Sequence, residues 1–274
     1  MIMRSFILAI TLCLTNITGG FSQAPAKPAD AVIQRFSVYL TSGTVRNAGS
    51  TNTNLSRAAG FSGNGAASLN LGIRADILPW LATTAQINLE LKSQRGITGN
   101  QWQNSRLNLD SRVRATDEIA PDQTLGFGPI HFGLSAGFIH KMRVVEFYAG
   151  PTIGFAILNP TFASQGLEVA GTNRRLIYGF GGRRTYRFNG RAPASQTISP
   201  VLGFQTMTDI RIWQAMMLSV RAAYTHSSVD MEFEETVFDL FTEQTSRQRF
   251  RDQVQVHQIW FELGLKFEFR DFEF

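Results

Sequence analysis

Four histidines and one cysteine leave few options for nucleophilic or metal chemistry in a chain of 274 residues. The one arrangement that could support catalysis is His226-Ser227-Ser228. Successive side chains of a strand point to opposite faces, so His226 and Ser228 share a face. A histidine and a serine so placed can serve as general base and nucleophile, provided an acid orients the imidazole. Glu232, Glu234 and Glu235 follow closely in the sequence. The competing reading is that polar residues mark the level at which a strand leaves an apolar environment.

Two further clusters suggest binding. Arg174, Arg175, Arg183, Arg184, Arg187 and Arg191 are interleaved with Tyr178, Phe180, Tyr186 and Phe188. Guanidinium forks of this kind suit phosphate groups. They could equally pair with the acidic stretch Asp230, Glu232, Glu234, Glu235, Asp239 and Glu243. Asp117-Glu118 with Asp122 reads as a solvated acidic loop, since Ca²⁺ needs more oxygen ligands. Gly181-Gly182 has no helix pattern after it and so makes no phosphate cradle, and His140-Lys141 reads as a solvated turn. No cysteine–histidine metal spacing is present, and neither a metal nor a cofactor is expected.

The elements that must position these residues are strands. Charged residues make up 17% of the chain, below the ~25% usual for soluble domains. Disorder does not fit 22 phenylalanines. Beyond the first 20 or so residues, no run approaches the ~20 apolar residues of a spanning helix. The start differs: Met1-Ile2-Met3-Arg4 is basic, Ser5 to Ile17 is largely apolar, and Ala24-Pro25-Ala26 fits a cleavage site. Residues 1–26 are therefore expected to be a secretory signal peptide, with 27–274 as the exported domain. Cys13 lies within that signal, so no disulfide is expected. Without Arg4 the balance is 25 Lys and Arg to 21 acids, too even to suggest nucleic acid.

Eight stretches alternate with period two, the signature of strands with one apolar face. Their apolar residues run Phe36–Leu40, Leu69–Ile77, Leu81–Leu91, Ile130–Phe138, Val145–Phe155, Leu202–Ile210, Met216–Tyr224 and Ile259–Phe269. Pro151 interrupts the fifth and suggests a bulge or strained pairing. Three connections are tight, at Pro79-Trp80, His140-Lys141-Met142 and Ile212-Trp213-Gln214. Four are long, near 42–65, 93–127, 158–199 and 225–253. Short turns at one end and long loops at the other are the layout of a membrane barrel.

The polar face carries Arg74, Asp76, Glu90, Lys92, Glu146, Arg221, Glu262, Lys266 and Glu268, both signs mixed. The apolar face is almost free of charge over the ~10 residues that a tilted membrane strand needs. The apolar face is therefore expected outward, and the charges inward, pairing to plug the barrel. An open sheet edge in lipid would leave backbone groups unsatisfied, so the eight strands must close. At eight strands, side chains just fill the interior. Pairing the last two strands with residue numbers summing to 481 sets Met216 beside Leu265, Leu218 beside Leu263 and Arg221 beside Trp260. Further up, it matches Asp230, Glu232 and Glu234 with Arg251, Arg249 and Arg247, in a ribbon turning near Leu240.

With these strands on hand, the chain resembles the small outer-membrane β-barrel proteins, the OmpA-type and porin-like barrels of Gram-negative bacteria. The resemblance rests on the eight amphipathic strands, the stretch Phe147-Tyr148-Ala149-Gly150-Pro151-Thr152-Ile153-Gly154-Phe155, and the terminal Phe274. It implies an all-β, eight-stranded antiparallel up-and-down transmembrane barrel in the bacterial outer membrane. A C-terminal aromatic resembles the signal read by the barrel-assembly machinery, although Phe267 and Phe269 are out of phase with Phe272 and Phe274. The expected role is structural or surface-interacting, with Arg174, Arg175, Arg183, Arg184, Arg187 and Arg191 meeting lipopolysaccharide or an external partner. A narrow porin-like channel is the alternative. A third reading is enzymatic, because His226-x-Ser228 resembles the His-x-Ser of outer-membrane lipid A deacylases. The Asn that follows Ser in those enzymes is Val229 here.

Overall fold

The computed structural model describes residues 35–50, 53–61, 65–94, 103, 105–107, 109–116, 124–160, 162–182 and 197–269. The proposed signal segment and the end at Phe274 lie outside them. Eight strands form a closed antiparallel ring: β1 (Arg35–Ser50), β2 (Ala66–Leu78), β3 (Leu81–Gln94), β5 (Thr124–Lys141), β6 (Val145–Leu158), β9 (Thr197–Arg211), β10 (Met216–Asp239) and β11 (Gln244–Phe269). Each ring strand pairs with the next ring strand along the chain, and β11 closes on β1.

One row of paired residues leaves β1 at Asn47, passes Gln258, Thr225, Gly203, Thr152, Ser135, Thr84 and Arg74, and returns to β1 at Ser37. The ring is thus staggered by the ten residues between Asn47 and Ser37. At about 3.3 Å per residue and about 4.8 Å between strands, that stagger tilts the strands by about 40°. Outward residues of β11 run from Ile259 to Phe269. Along the barrel axis this spans about 25 Å, the height of an outer-membrane apolar band.

The two faces divide as the alternation requires. Leu71, Leu134, Ile153, Leu202, Phe261 and Leu263 point outward and are each more than half exposed, while the polar positions between them are buried. At the turn end, Trp80 stacks on Phe138 at 5.9 Å and Trp213 is exposed, forming part of an aromatic girdle. Inside, the Tyr39 ring crosses Gly72 so closely that a Cβ there would collide with it. Only a residue without a side chain fits.

Several expectations need correcting. The last hairpin pairs with a sum of 483, not 481, so Arg221 lies beside Glu262 and Met216 beside Phe267. A slip of two residues keeps every side chain on its face, so face chemistry could not separate the two registers. The turn decides: residues 240–243 separate the paired Asp239 and Gln244. Pro151 makes no bulge. It pairs with Phe204, while the ladder to β5 lapses at Gly150 and Pro151 without a register shift.

The long connections are also more ordered than loops. The third contains a hairpin, β7 (Phe162–Val169) and β8 (Arg175–Gly182), that joins the upper half of β10, and β4 (Val113–Ala115) joins β7. The first contains a short helix, α1 (Thr53–Ala58). The upper sheet and α1 share a second core that includes Leu55, Phe61, Leu167, Tyr178, Phe180, Phe233 and Val254. This core lies at the loop end of the ring.

Candidate functional site: the barrel interior and its mouth

The charges inside the ring gather toward the turn end, because inward positions nearest the tight turns carry them. Arg74 reaches Asp209 at 2.8 Å, Glu146 at 2.5 Å and Asp76 at 3.3 Å. Lys266 donates to the same Asp209 at 2.7 Å and Glu146 at 2.9 Å. Arg35 contacts Asp76 at 3.1 Å, Glu268 at 2.9 Å and also Glu146. Lys141 contacts Asp76 at 2.8 Å, Arg211 contacts Glu268 at 2.8 Å, and Ser219 donates to Asp209 at 2.7 Å. These five cations and four carboxylates form one connected network. Isolated ions cannot remain in such an interior, and shared contacts offset their desolvation.

A second group lies further along the barrel. Arg221 donates to Glu262 at 2.7 Å, Asn88 at 3.1 Å and Gln205 at 3.0 Å. Thr41 and Asn70 donate to the same Glu262 carboxylate at 2.9 and 3.2 Å. Glu90 accepts from Gln258 at 3.1 Å. Trp260 donates to Thr225 at 3.0 Å and meets His131 edge-on at 5.0 Å. Of the inward charges expected from sequence, Arg74, Asp76, Glu90, Glu146, Arg221, Glu262, Lys266 and Glu268 are buried; the Lys92 side chain lies outside the described residues. Arg35, Lys141, Asp209 and Arg211 were missed, although Arg35 and Asp209 sit on the polar parity of their strands.

At the mouth, one buried carboxylate ties a loop to the rising ribbon. Glu235 accepts from Ser105 at 3.2 Å, the Arg106 backbone N–H at 2.9 Å and the Tyr178 hydroxyl at 3.2 Å. Burial, with this carboxylate beside it, holds the Tyr178 hydroxyl protonated well above the usual phenol range. The Arg106 guanidinium lies 3.7 Å above the Phe250 ring, a cation–π contact.

Of the six arginines expected at lipopolysaccharide, Arg174 donates to Asp239 at 2.6 Å and Arg175 pairs in register with Glu168. Arg183, Arg184, Arg187 and Arg191 lie outside the described residues, as do Asp117, Glu118 and Asp122. The Arg174 hydrogen bond lowers the Asp239 carboxyl from its ordinary 3.8 to about 2. A depressed acid contributes stability above its unfolded pKa and loses it as pH falls through the folded one. The outer hairpin is therefore expected to hold at pH 4 and loosen as pH falls toward 2. Asp239→Asn should remove this acid transition, and hydrogen exchange of β8 amides against pH measures it.

His226 and Ser228 do share the outward face of β10, both partly exposed. The acids that would complete a triad are elsewhere. Glu232 lies six residues, about 20 Å, further along the strand. It pairs with Arg251 at 3.4 Å, and Glu234 pairs with Arg249 at 2.8 Å and Arg247 at 3.4 Å. Glu235 faces the opposite side of the sheet. The neighbour of His226 is instead His257, directly across the ribbon with ring centroids 4.6 Å apart. Among the described residues no three His, Cys, Asp or Glu side chains group as a metal site.

Closed ring, apolar outer band and charged interior define the fold of a small outer-membrane β-barrel. Solved structures of several outer membrane proteins are similar to the chain. A major outer membrane protein of Thermus thermophilus has a TM-score of 0.40 at 12% identity, covering 86% of this chain and 98% of that one. The outer membrane protease OmpT of Escherichia coli has 0.39 at 10%, covering 89% and 99%. The outer membrane protein AlkL has 0.38 at 12%, covering 92% and 98%. No protein-family model and no curated sequence matches the chain.

Proposed function

We propose that the chain is exported by its first 26 or so residues and resides in a Gram-negative outer membrane as a closed, non-enzymatic barrel. Its role is structural or surface-interacting. The interior is plugged by paired charges, and the ordered outer sheet presents loops to lipopolysaccharide or an external partner. Arg174, Arg175, Arg183, Arg184, Arg187 and Arg191 are the candidate contacts with lipopolysaccharide phosphates in this reading, Arg174 sharing its guanidinium with Asp239. Phe274 serves barrel assembly.

The observation that carries the closed reading is the connected network of Arg35, Arg74, Lys141, Arg211 and Lys266 with Asp76, Glu146, Asp209 and Glu268. Side chains from six of the eight ring strands meet in it. The aromatic and aliphatic core at the mouth supports the same reading from the other end. A diffusion channel would need a continuous wetted gap through both.

Single-channel recording in planar bilayers tests this. The wild type is expected to show no lasting open level in concentrated KCl. A stable, ohmic open state would overturn the closed reading and favour a narrow porin.

A further inference from the structure

We propose that His226 and His257 form a surface site for a divalent transition-metal ion of the class that prefers imidazole, such as Zn²⁺, Cu²⁺ or Ni²⁺. The two residues face each other across β10 and β11, both pointing out of the barrel. Their rings are 4.6 Å apart and inclined by 35°. A metal ion about 2.0–2.1 Å from one nitrogen of each ring can bridge two imidazoles whose centroids are this close.

The second feature is the orientation of His257. Its Nδ1 is engaged by the Tyr224 hydroxyl, one outward position below His226 on β10. In the tautomer in which His257 Nδ1–H donates to the Tyr224 oxygen, Nε2 is left to the metal, and metal-binding histidines commonly fix their remaining ring nitrogen by such a donation. The Nδ1 of His226 is buried without a hydrogen-bond partner. The next outward pair, Ser228 opposite Gln255, adds oxygen atoms to the same patch. Two imidazoles with oxygens or water are a ligand set for Zn²⁺, Cu²⁺ or Ni²⁺ and not for Ca²⁺ or Mg²⁺.

The location allows an ion to enter. Below the pair, Ile259, Phe261 and Leu263 belong to the apolar band. Above it the outward residues are Ser228, Asp230, Gln253 and Gln255, all polar. The imidazoles thus stand where water meets the band, on the side of the long loops. A purely lipid-facing ladder would use apolar or aromatic residues at that level, as Leu202 does on β9 opposite His226.

The test uses the full-length mature barrel, refolded in detergent, stripped with EDTA and carrying no affinity tag. Titration with CuSO₄ should saturate at one ion per chain, and the Cu²⁺ spectrum in electron paramagnetic resonance should show coupling to two imidazole nitrogens. His226→Ala and His257→Ala should each abolish that spectrum, and His140→Ala should leave it intact. Tyr224→Phe should weaken binding by about 10–100-fold. Heat-shifted gel mobility checks that each variant is folded. A wild type with no saturable Cu²⁺ site, or a two-nitrogen spectrum that survives His226→Ala in folded protein, would overturn the proposal.

Discussion

Arg74→Ala is expected to destabilise the folded barrel by about 3–5 kcal/mol, the effect of leaving buried carboxylates without their partner. Arg74 touches three of them, Asp76, Glu146 and Asp209, and is itself fully buried. After its removal Lys266 still holds Asp209 and Glu146. Asp76 keeps Arg35 and Lys141. The loss should therefore be large without preventing folding. Arg249→Ala is the matched control: it also removes an arginine–carboxylate pair, at 2.8 Å to Glu234, but its side chain is half exposed. An exposed pair contributes about 0–1 kcal/mol. Urea unfolding in lipid vesicles, followed by tryptophan fluorescence, compares the two. Equal effects would mean that the interior is hydrated enough to screen its charges.

The second large effect lies on the other face. Leu263→Arg should cost about 2–4 kcal/mol in a bilayer, because position 263 points outward in the middle of the apolar band. The inward position Ser219, against Asp209 at 2.7 Å, provides the comparison. An arginine there meets a carboxylate but must also fit beside Arg74 and Lys266, so strain and repulsion oppose it. That cost arises from the interior and should persist in detergent, whereas the cost at 263 comes from lipid and should grow with the hydrocarbon around the barrel. The same urea titration, run in vesicles and in micelles, reads both. A Leu263→Arg barrel as stable as the wild type in lipid would contradict the outward placement.

Parity along each strand made the ring, its apolar face and most inward charges legible from sequence, since a strand's faces follow from period two alone. Register was not legible at that level. Met216 suits Phe267 as well as Leu265, and only the length of the turn at 240–243 separates them. Asp209 and Arg35 were readable by the same parity, since each alternates with the apolar residues of its strand. The mouth escaped for a different reason. β8 is buried on both faces from Tyr178 to Gly182, so it carries no alternation to detect. α1 has six residues, too few for a helical period and too short to be stable without its packing. Both are held by contacts distant in sequence, β8 through its pairing with β10 and α1 through the core at the mouth. The spacing of His226 and Ser228 correctly put them on one face. The acids near them in sequence proved remote in space, because a strand carries its residues away at about 3.3 Å each.

The most direct test of the orientation and closure of this barrel is spin-label accessibility along β11 in lipid vesicles. The chain has no cysteine beyond Cys13, so once Cys13 is replaced by Ser, single substitutions from 257 to 267 can be labelled, except at Gly264, where a Cβ would collide with the Leu40 backbone oxygen. Labels at 261, 263 and 265 should collide with lipid-dissolved oxygen and not with a water-soluble nickel chelate, while those at the inward positions 260, 262 and 266 should meet neither. A chelate-accessible run at the even positions would show an open aqueous lumen, and an oxygen-accessible run there would show the faces reversed.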